Sequence, residues 1–128
     1  MNSFQPLYDI YPQVISQTPL EHHSLGLHTQ IDFFVGRNIR GFAGHFPQFA
    51  LLPGVVQIDW ASHYARDAFE LTGSVVSVER LKFTCPIRPE SAISLALTLR
   101  ESCIEFRYFH RITSDRTQEF SRGRLVFA

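Results

Sequence analysis

The order of hydrophobic periods along this chain predicts an α+β fold, an antiparallel sheet wrapped around one long central helix. From Gly54 to about Phe69, apolar residues (Val55, Val56, Ile58, Trp60, Ala61, Tyr64, Ala65, Ala68, Phe69) cover most of a helical circumference, which places that helix in the middle of the fold. After the Thr72-Gly73 break come strand-like runs at Val75 to Phe83, Ile93 to Leu99, Ile104 to Ile112 and Glu119 to Phe127. The two-residue alternation is clearest in Ile93, Leu95, Leu97, Leu99 and in Ile104, Phe106, Tyr108, His110, Ile112. A sheet with one apolar face and a helix that is apolar nearly all round bury each other.

The remaining elements fit between these. Residues 1–12, MNSFQPLYDIYP, hold two prolines and no sustained period and read as an irregular lead-in. From His23, Leu25, Leu27, Thr29 and Ile31 alternate with polar or small residues, the pattern of a half-buried strand. Between Asp32 and Pro53 the pattern dissolves into aromatic, Gly and Pro residues. Phe42, Phe46, Phe49, Leu51 and Leu52 there require burial, so an ordered loop is expected rather than a linker. The helix has one polar strip, Asp59, Ser62, His63 and Arg66, at three- and four-residue steps. With 128 residues, 45% of them apolar, residues 1–128 make a single domain with a real core.

Composition excludes several classes. Zero formal net charge argues against a general nucleic-acid binder. The charge is uneven, however: from Arg80 onward there are nine Lys/Arg against five Asp/Glu, and before it three against seven. The C-terminal part can thus offer a positive face to an acidic partner, although single arginines also fit the solvated faces of strands. Cys85 and Cys103 lack CxxC spacing and read as small buried hydrophobes, not as a disulfide or zinc pair. His22, His23, His28 and His110 lie on strand-like segments without a convergent carboxylate, so no metal is expected, nor any cofactor. No leader pattern and no apolar run of roughly 20 residues is present, which leaves a cytoplasmic protein without a membrane span as the expectation.

One segment carries chemistry: His45-Phe46-Pro47, a short spacer, then Leu52-Pro53-Gly54-Val55-Val56-Gln57-Ile58-Asp59. It resembles the signature of the 3-hydroxyacyl-[acyl carrier protein] dehydratases, which have HFP, a PG step into a central helix, and an acid fourteen residues after the histidine, as Asp59 is after His45. Glu79-Arg80-Leu81-Lys82-Phe83 followed by Pro86-Ile87-Arg88-Pro89 is similar to the family's KFxxPVxPG stretch, so the likeness covers roughly residues 20 to 127. The wording HFPQFALLPGVVQIDW is closer to the stand-alone dehydratases of aryl polyene and related polyketide clusters than to the housekeeping enzymes. The resemblance implies a hot-dog fold and loss of water from a 3-hydroxyacyl thioester, giving a trans-2-enoyl thioester. The acyl group would be borne on acyl carrier protein. It also implies a dimer whose sites combine the histidine of one subunit with the acid of the other, whether a homodimer or a heterodimer with a second dehydratase-like chain.

That reaction needs a base for a C2 proton, an acid for the departing C3 hydroxyl and donors for charge on the thioester oxygen. His45 suits the base. Asp59, on an otherwise apolar helix, suits the acid, and the pair can titrate as a unit. Gly54 and Val55 at the helix start offer backbone N–H groups and the helix dipole to the oxygen. His63 stands where the family has a Gln that orients the acid, and Asp59 where its commoner branch has Glu; the branch that also isomerises its product has Asp. Phe42, Phe46, Phe49 and Trp60 are candidates to line an acyl tunnel, with core packing as the alternative. Arg80, Lys82 and Arg88 are candidates to dock the carrier protein. A hot-dog acyl thioesterase and a non-catalytic acyl-binding partner subunit remain the alternative functions.

Overall fold

A computed structural model of the chain describes residues 9–39, 42 and 50–128. The elements run β1 (Gln13–Gln17), β2 (Glu21–His23), β3 (Gly26–Val35), α1 (Gly54–Phe69), β4 (Val75–Phe83), β5 (Ser91–Arg100), β6 (Cys103–Thr113) and β7 (Arg116–Phe127). The strands form one antiparallel sheet in the order β1-β3-β5-β6-β7-β4, with β2 also paired to β3. The expected helix and four C-terminal strands are all present.

The core lies between α1 and one face of the sheet. Alternate residues of three neighbouring strands point inward and are buried: Ile31, Phe33 and Val35 of β3, Ile93, Leu95 and Leu97 of β5, Ile104, Phe106 and Tyr108 of β6. They meet Trp60, Ala61, Tyr64 and Ala65 of α1. Phe33 contacts both Trp60 and Tyr64, with ring centroids 6.3 and 5.0 Å apart. The helix ends where Glu70 takes a left-handed conformation at φ 54° and its N–H returns to the Arg66 carbonyl.

The N-terminal half departs from the sequence expectation in three ways. The strand expected from His23 to Ile31 is broken by a turn at Ser24 and Leu25, and Leu25 is exposed. Gly26 makes this possible at φ 139°, where a Cβ would strike the Leu99 carbonyl oxygen. The pattern also does not dissolve at Asp32: β3 runs to Val35, because the alternation of Thr29 and Ile31 continues through Phe33 and Val35, all buried. Adjacent Phe33 and Phe34 hide that alternation in the sequence. Third, part of the irregular lead-in is docked. The Asp9 N–H donates to the Asn38 carbonyl at 2.7 Å, and Trp60 Nε1–H donates to the Ile10 carbonyl at 3.0 Å. Of the loop residues expected to be buried, Phe42 and Leu52 are buried and Leu51 is half-buried, while Phe46 and Phe49 lie outside the described residues.

At the far edge of the sheet, β4 carries a bulge. Glu79 pairs with Arg124 and Lys82 with Arg122, so Arg80 and Leu81 together face Gly123, and Arg80 takes φ 52°. Without the extra residue, alternation from Val78 would turn Leu81 and Phe83 outward and Lys82 inward. The bulge keeps Leu81 on the inner face beside Gly123 and Phe83 beside Gly54.

On the outer face, Asp32 ties three strands together. Its carboxylate accepts from Ser16 Oγ of β1 (2.8 Å), Ser94 Oγ of β5 (2.6 Å) and Gln30 Nε2 (3.1 Å). Partial burial pushes its pKa up, but these hydrogen bonds, with the nearby Arg111 charge, outweigh that and hold it below the usual value. A lowered carboxyl adds stability above its unfolded value near ~4 and loses it as pH falls through the folded value. Asp32→Asn is therefore expected to flatten the acid side of the stability–pH curve, read from urea midpoints between pH 6 and 3; an unchanged curve would show that Asp32 adds nothing.

Candidate active site

The site is built on the first two turns of α1. Pro53 precedes Gly54 with no side-chain cap, and the Val56 and Gln57 N–H groups both turn back to the Pro53 carbonyl at 3.1 and 3.2 Å. Among the described residues, the Gly54 and Val55 N–H groups have no acceptor, which leaves two donors at the positive end of the helix dipole. Gly54 lies against the Phe83 ring, so close that a Cβ would come within 2.5 Å of Cζ. A side chain at this position would have to displace the Phe83 ring.

In front of this helix start lies a cleft of about 420 Å³, mostly apolar, lined by Leu51, Leu52, Pro53, Gly54, Gln57, Phe83, Thr84, Cys85 and Pro86. Sequence reading proposed Phe42 and Trp60 for an acyl channel, but both are buried in the core and neither lines this cleft. Leu51 and Phe83 do. Cys85 follows the end of β4, and Cys103 opens β6. Both cysteines are free and half-buried, and the Cys85 sulfur accepts from Gln118 Nε2 at 3.0 Å.

Gln57 is the residue that sequence reasoning missed. It sits on the buried side of α1, 3% exposed, with every polar group engaged. Its Nε2–H donates to the Leu52 carbonyl (3.1 Å), its Oε1 accepts from Ser121 Oγ (2.6 Å), and its main-chain carbonyl accepts from the Tyr108 hydroxyl (2.7 Å). These bonds tie the helix start to β6, to β7 and to the segment entering the helix. The available signal was a lone amide among apolar residues at helical spacing. Full burial pushes the Tyr108 hydroxyl well above its ordinary pKa, so it stays a donor.

The polar strip of α1 is narrower than expected: Ser62 is buried, while Asp59, His63 and Arg66 are exposed and Val55 extends the strip as an exposed apolar residue. Asp59 therefore faces away from the cleft that Gln57 lines. The His63 ring stacks on Tyr11 at 4.0 Å and meets Tyr64 edge-on at 4.9 Å, and no hydrogen bond joins it to Asp59 among the described residues. Burial, with the Tyr11 and Asp67 charges adding to it, pushes the Tyr64 hydroxyl up to about 12. His45 lies outside the described residues. Arg80 and Lys82 share one groove on the outer face, whereas Arg88 borders another with His110. No cluster that would hold a metal ion occurs among the described residues, and no helix there is long and apolar enough to cross a membrane.

The model of the ApeI-like family, described as ApeI dehydratase, matches residues 21–124. The chain belongs to the ApeI-like dehydratase family. Among solved structures, an uncharacterized protein from Erwinia carotovora subsp. atroseptica is similar at 26% identity and TM-score 0.81, over 92% of this chain and 96% of the other. The dehydratase heterocomplex ApeI:P from Xenorhabdus doucetiae is similar at 30% identity and TM-score 0.77, over 92% and 98%. The dehydratase domain of the polyketide PpsC from Mycobacterium tuberculosis matches at 16% identity and TM-score 0.70, over 94% of this chain and 45% of that one, a likeness that shows the fold alone. None of the curated proteins matches. The antiparallel sheet around one helix is thus the hot-dog fold that the sequence resemblance implied, and the chain is a dehydratase of hot-dog type.

Replacing Gln57 by Leu would leave the Ser121 hydroxyl and the Leu52 carbonyl buried without partners, at a cost of about 1–3 kcal/mol. Tyr108→Phe is expected to cost less, about 1 kcal/mol, because only its own bond is lost. Urea denaturation reads both, and equal stability in all three proteins would show that the network does not hold the helix start.

Proposed function

We propose that this chain removes water from 3-hydroxyacyl thioesters borne on an acyl carrier protein, giving trans-2-enoyl thioesters, in the cytoplasmic biosynthesis of an aryl polyene, polyketide or fatty acyl chain. The observation that carries this reading is the start of α1, where the Gly54 and Val55 N–H groups have no acceptor among the described residues and Gly54 lines an apolar cleft. The acyl chain would occupy the cleft and the thioester oxygen would face Gly54 and Val55. There its growing negative charge is stabilised by donors already in place.

In the proposed step, His45 takes the C2 proton, the electron pair forms the C2–C3 double bond, and the C3–O bond breaks as Asp59 supplies a proton, releasing water. A neutral histidine is available near pH 7 because its ordinary pKa is near ~6.5. Asp59 points away from its own chain's cleft, which supports a site completed by a second chain. A surface for that chain is available. Val55 is exposed on the same strip as Asp59, and the edge strand β4 exposes Val76, Val78, Leu81 and Phe83, with no strand beyond it among the described residues. The partner is a second copy or a dehydratase-like chain; the ApeI:P heterocomplex supports the second form. His63, one helical turn past Asp59, would orient the acid.

The test is incubation with a 3-hydroxyacyl thioester and detection by mass spectrometry of a product lighter by one water. His45→Ala is expected to lower kcat by about 10² to 10⁴, and Asp59→Asn by a similar factor. Near-full activity in either variant would remove that residue from the mechanism, and release of free acid in place of the enoyl thioester would make the protein a thioesterase.

A further inference from the structure

The outer face of the sheet, opposite α1, carries a groove of about 540 Å³ across β5, β6, β7 and β4. It is concave because Ala96, Thr98 and Gly123 are small, whereas the long side chains of Arg80, Lys82, Arg107, Arg122 and Arg124 rise around them. Two carboxylates hold these cations in a ladder. Glu105 bridges Arg100 and Arg124 at 3.2 and 3.1 Å, and Glu119 bridges Arg107 and Arg122 at 3.0 and 3.7 Å. Glu79 adds a longer contact to Arg124 at 4.0 Å. The patch therefore sets six cationic side chains against three carboxylates in a chain whose formal net charge is zero.

Each shared carboxylate orients two guanidinium groups while satisfying only part of their five donors, and although Arg107 Nη2 also donates to Thr117 Oγ1 at 2.9 Å, N–H groups remain for a further acceptor. Arg80 and Lys82 have no ion-pair partner among the described residues. A surplus of oriented cations on a broad, open surface suits a protein face that presents several carboxylates, which would steer its approach and fix its register. The groove and the cleft of the proposed site lie on opposite faces of the sheet and meet at the β4 edge. On β4, Lys82 borders the groove and the next residue, Phe83, borders the cleft at Gly54, while Thr84 and Cys85 continue the cleft wall past the strand end.

We propose that this groove is the docking surface for an acidic face of the protein that carries the thioester, an assignment that rests on the dehydratase reading above. Its contacts are Arg80, Lys82, Arg107, Arg122 and Arg124. Arg88, which borders the separate groove near His110, is outside it.

The experiment compares a 3-hydroxyoctanoyl acyl carrier protein with 3-hydroxyoctanoyl-N-acetylcysteamine as substrates for the wild type, Lys82→Glu/Arg122→Glu and Arg88→Glu. The ratio of kcat/KM for the protein-borne over the small substrate is expected to fall roughly tenfold in the double variant. In the wild type the same ratio should fall with rising salt. An unchanged ratio in the double variant, or a fall confined to Arg88→Glu, would overturn the proposal. If the double reversal prevents folding, Lys82→Gln/Arg122→Gln makes the same comparison with a smaller expected fall. Titration of the unloaded holo-carrier protein reads docking without turnover. Loss of binding in the double variant upholds the surface even if neither thioester loses water, and equal binding refutes it even if both do.

Discussion

Burial of Trp60, Ala61, Tyr64 and Ala65 against the concave face of one antiparallel sheet is the contact on which the rest of this molecule depends. Because α1 covers the middle of the sheet, β3, β5 and β6 turn mostly apolar side chains inward, with the Thr29 and Tyr108 hydroxyls hydrogen-bonded where they are buried. The same contact gives α1 one inward side and one outward side. Gln57 falls on the first and Asp59 on the second, and the division of the candidate chemistry between a cleft and an exposed strip follows from that rotation.

The helix start is then held by polar bonds rather than by apolar packing. A Pro-Gly junction without a cap has little stability of its own, and here it opens onto a cleft. The Gln57 amide, the Ser121 hydroxyl and the Tyr108 hydroxyl supply directional bonds where a leucine would supply only volume. Buried and fully partnered, such a network fixes the position of Gly54 and Val55 relative to β6 and β7. The proposed stabilisation of an anion by this pair of N–H groups would need such fixing, since it depends on where the donors point before the charge develops.

The β4 edge combines two constraints. Its inner face must present Leu81 and Phe83 to the interior and the cleft, and its outer face must carry Glu79 and Lys82 beside the arginines of β7. A regular strand cannot satisfy both with the order VERLKF. One residue in the left-handed region at Arg80 resolves the conflict, and a small residue opposite, Gly123, leaves room for Leu81 and Phe106. The bulge therefore joins the apolar cleft on one side of the sheet to the basic groove on the other.

Much of this was legible in the linear chain. The helix from Gly54 to Phe69 and the strands through Ile93 to Leu99 and Ile104 to Ile112 were readable because their hydrophobic periods are long and uninterrupted. The fourteen-residue interval from His45 to Asp59 likewise pointed to the chemistry before any coordinate did. The turn at Ser24, the continuation of β3 through Phe33 and the burial of Ser62 were not legible, since an aromatic pair or a single hydroxyl does not declare which side it faces. Nor was the Gln57 network, whose partners Ser121 and Tyr108 lie 64 and 51 residues away. By itself the sequence determined the periods and the class of fold and proposed His45 and Asp59 as an acid/base pair, because these are carried by spacing along the chain. Only the tertiary structure decided that Arg80 and Lys82 belong with Arg107, Arg122 and Arg124 and not with Arg88, because strand register and a one-residue bulge, not sequence order, set which side chains share a face.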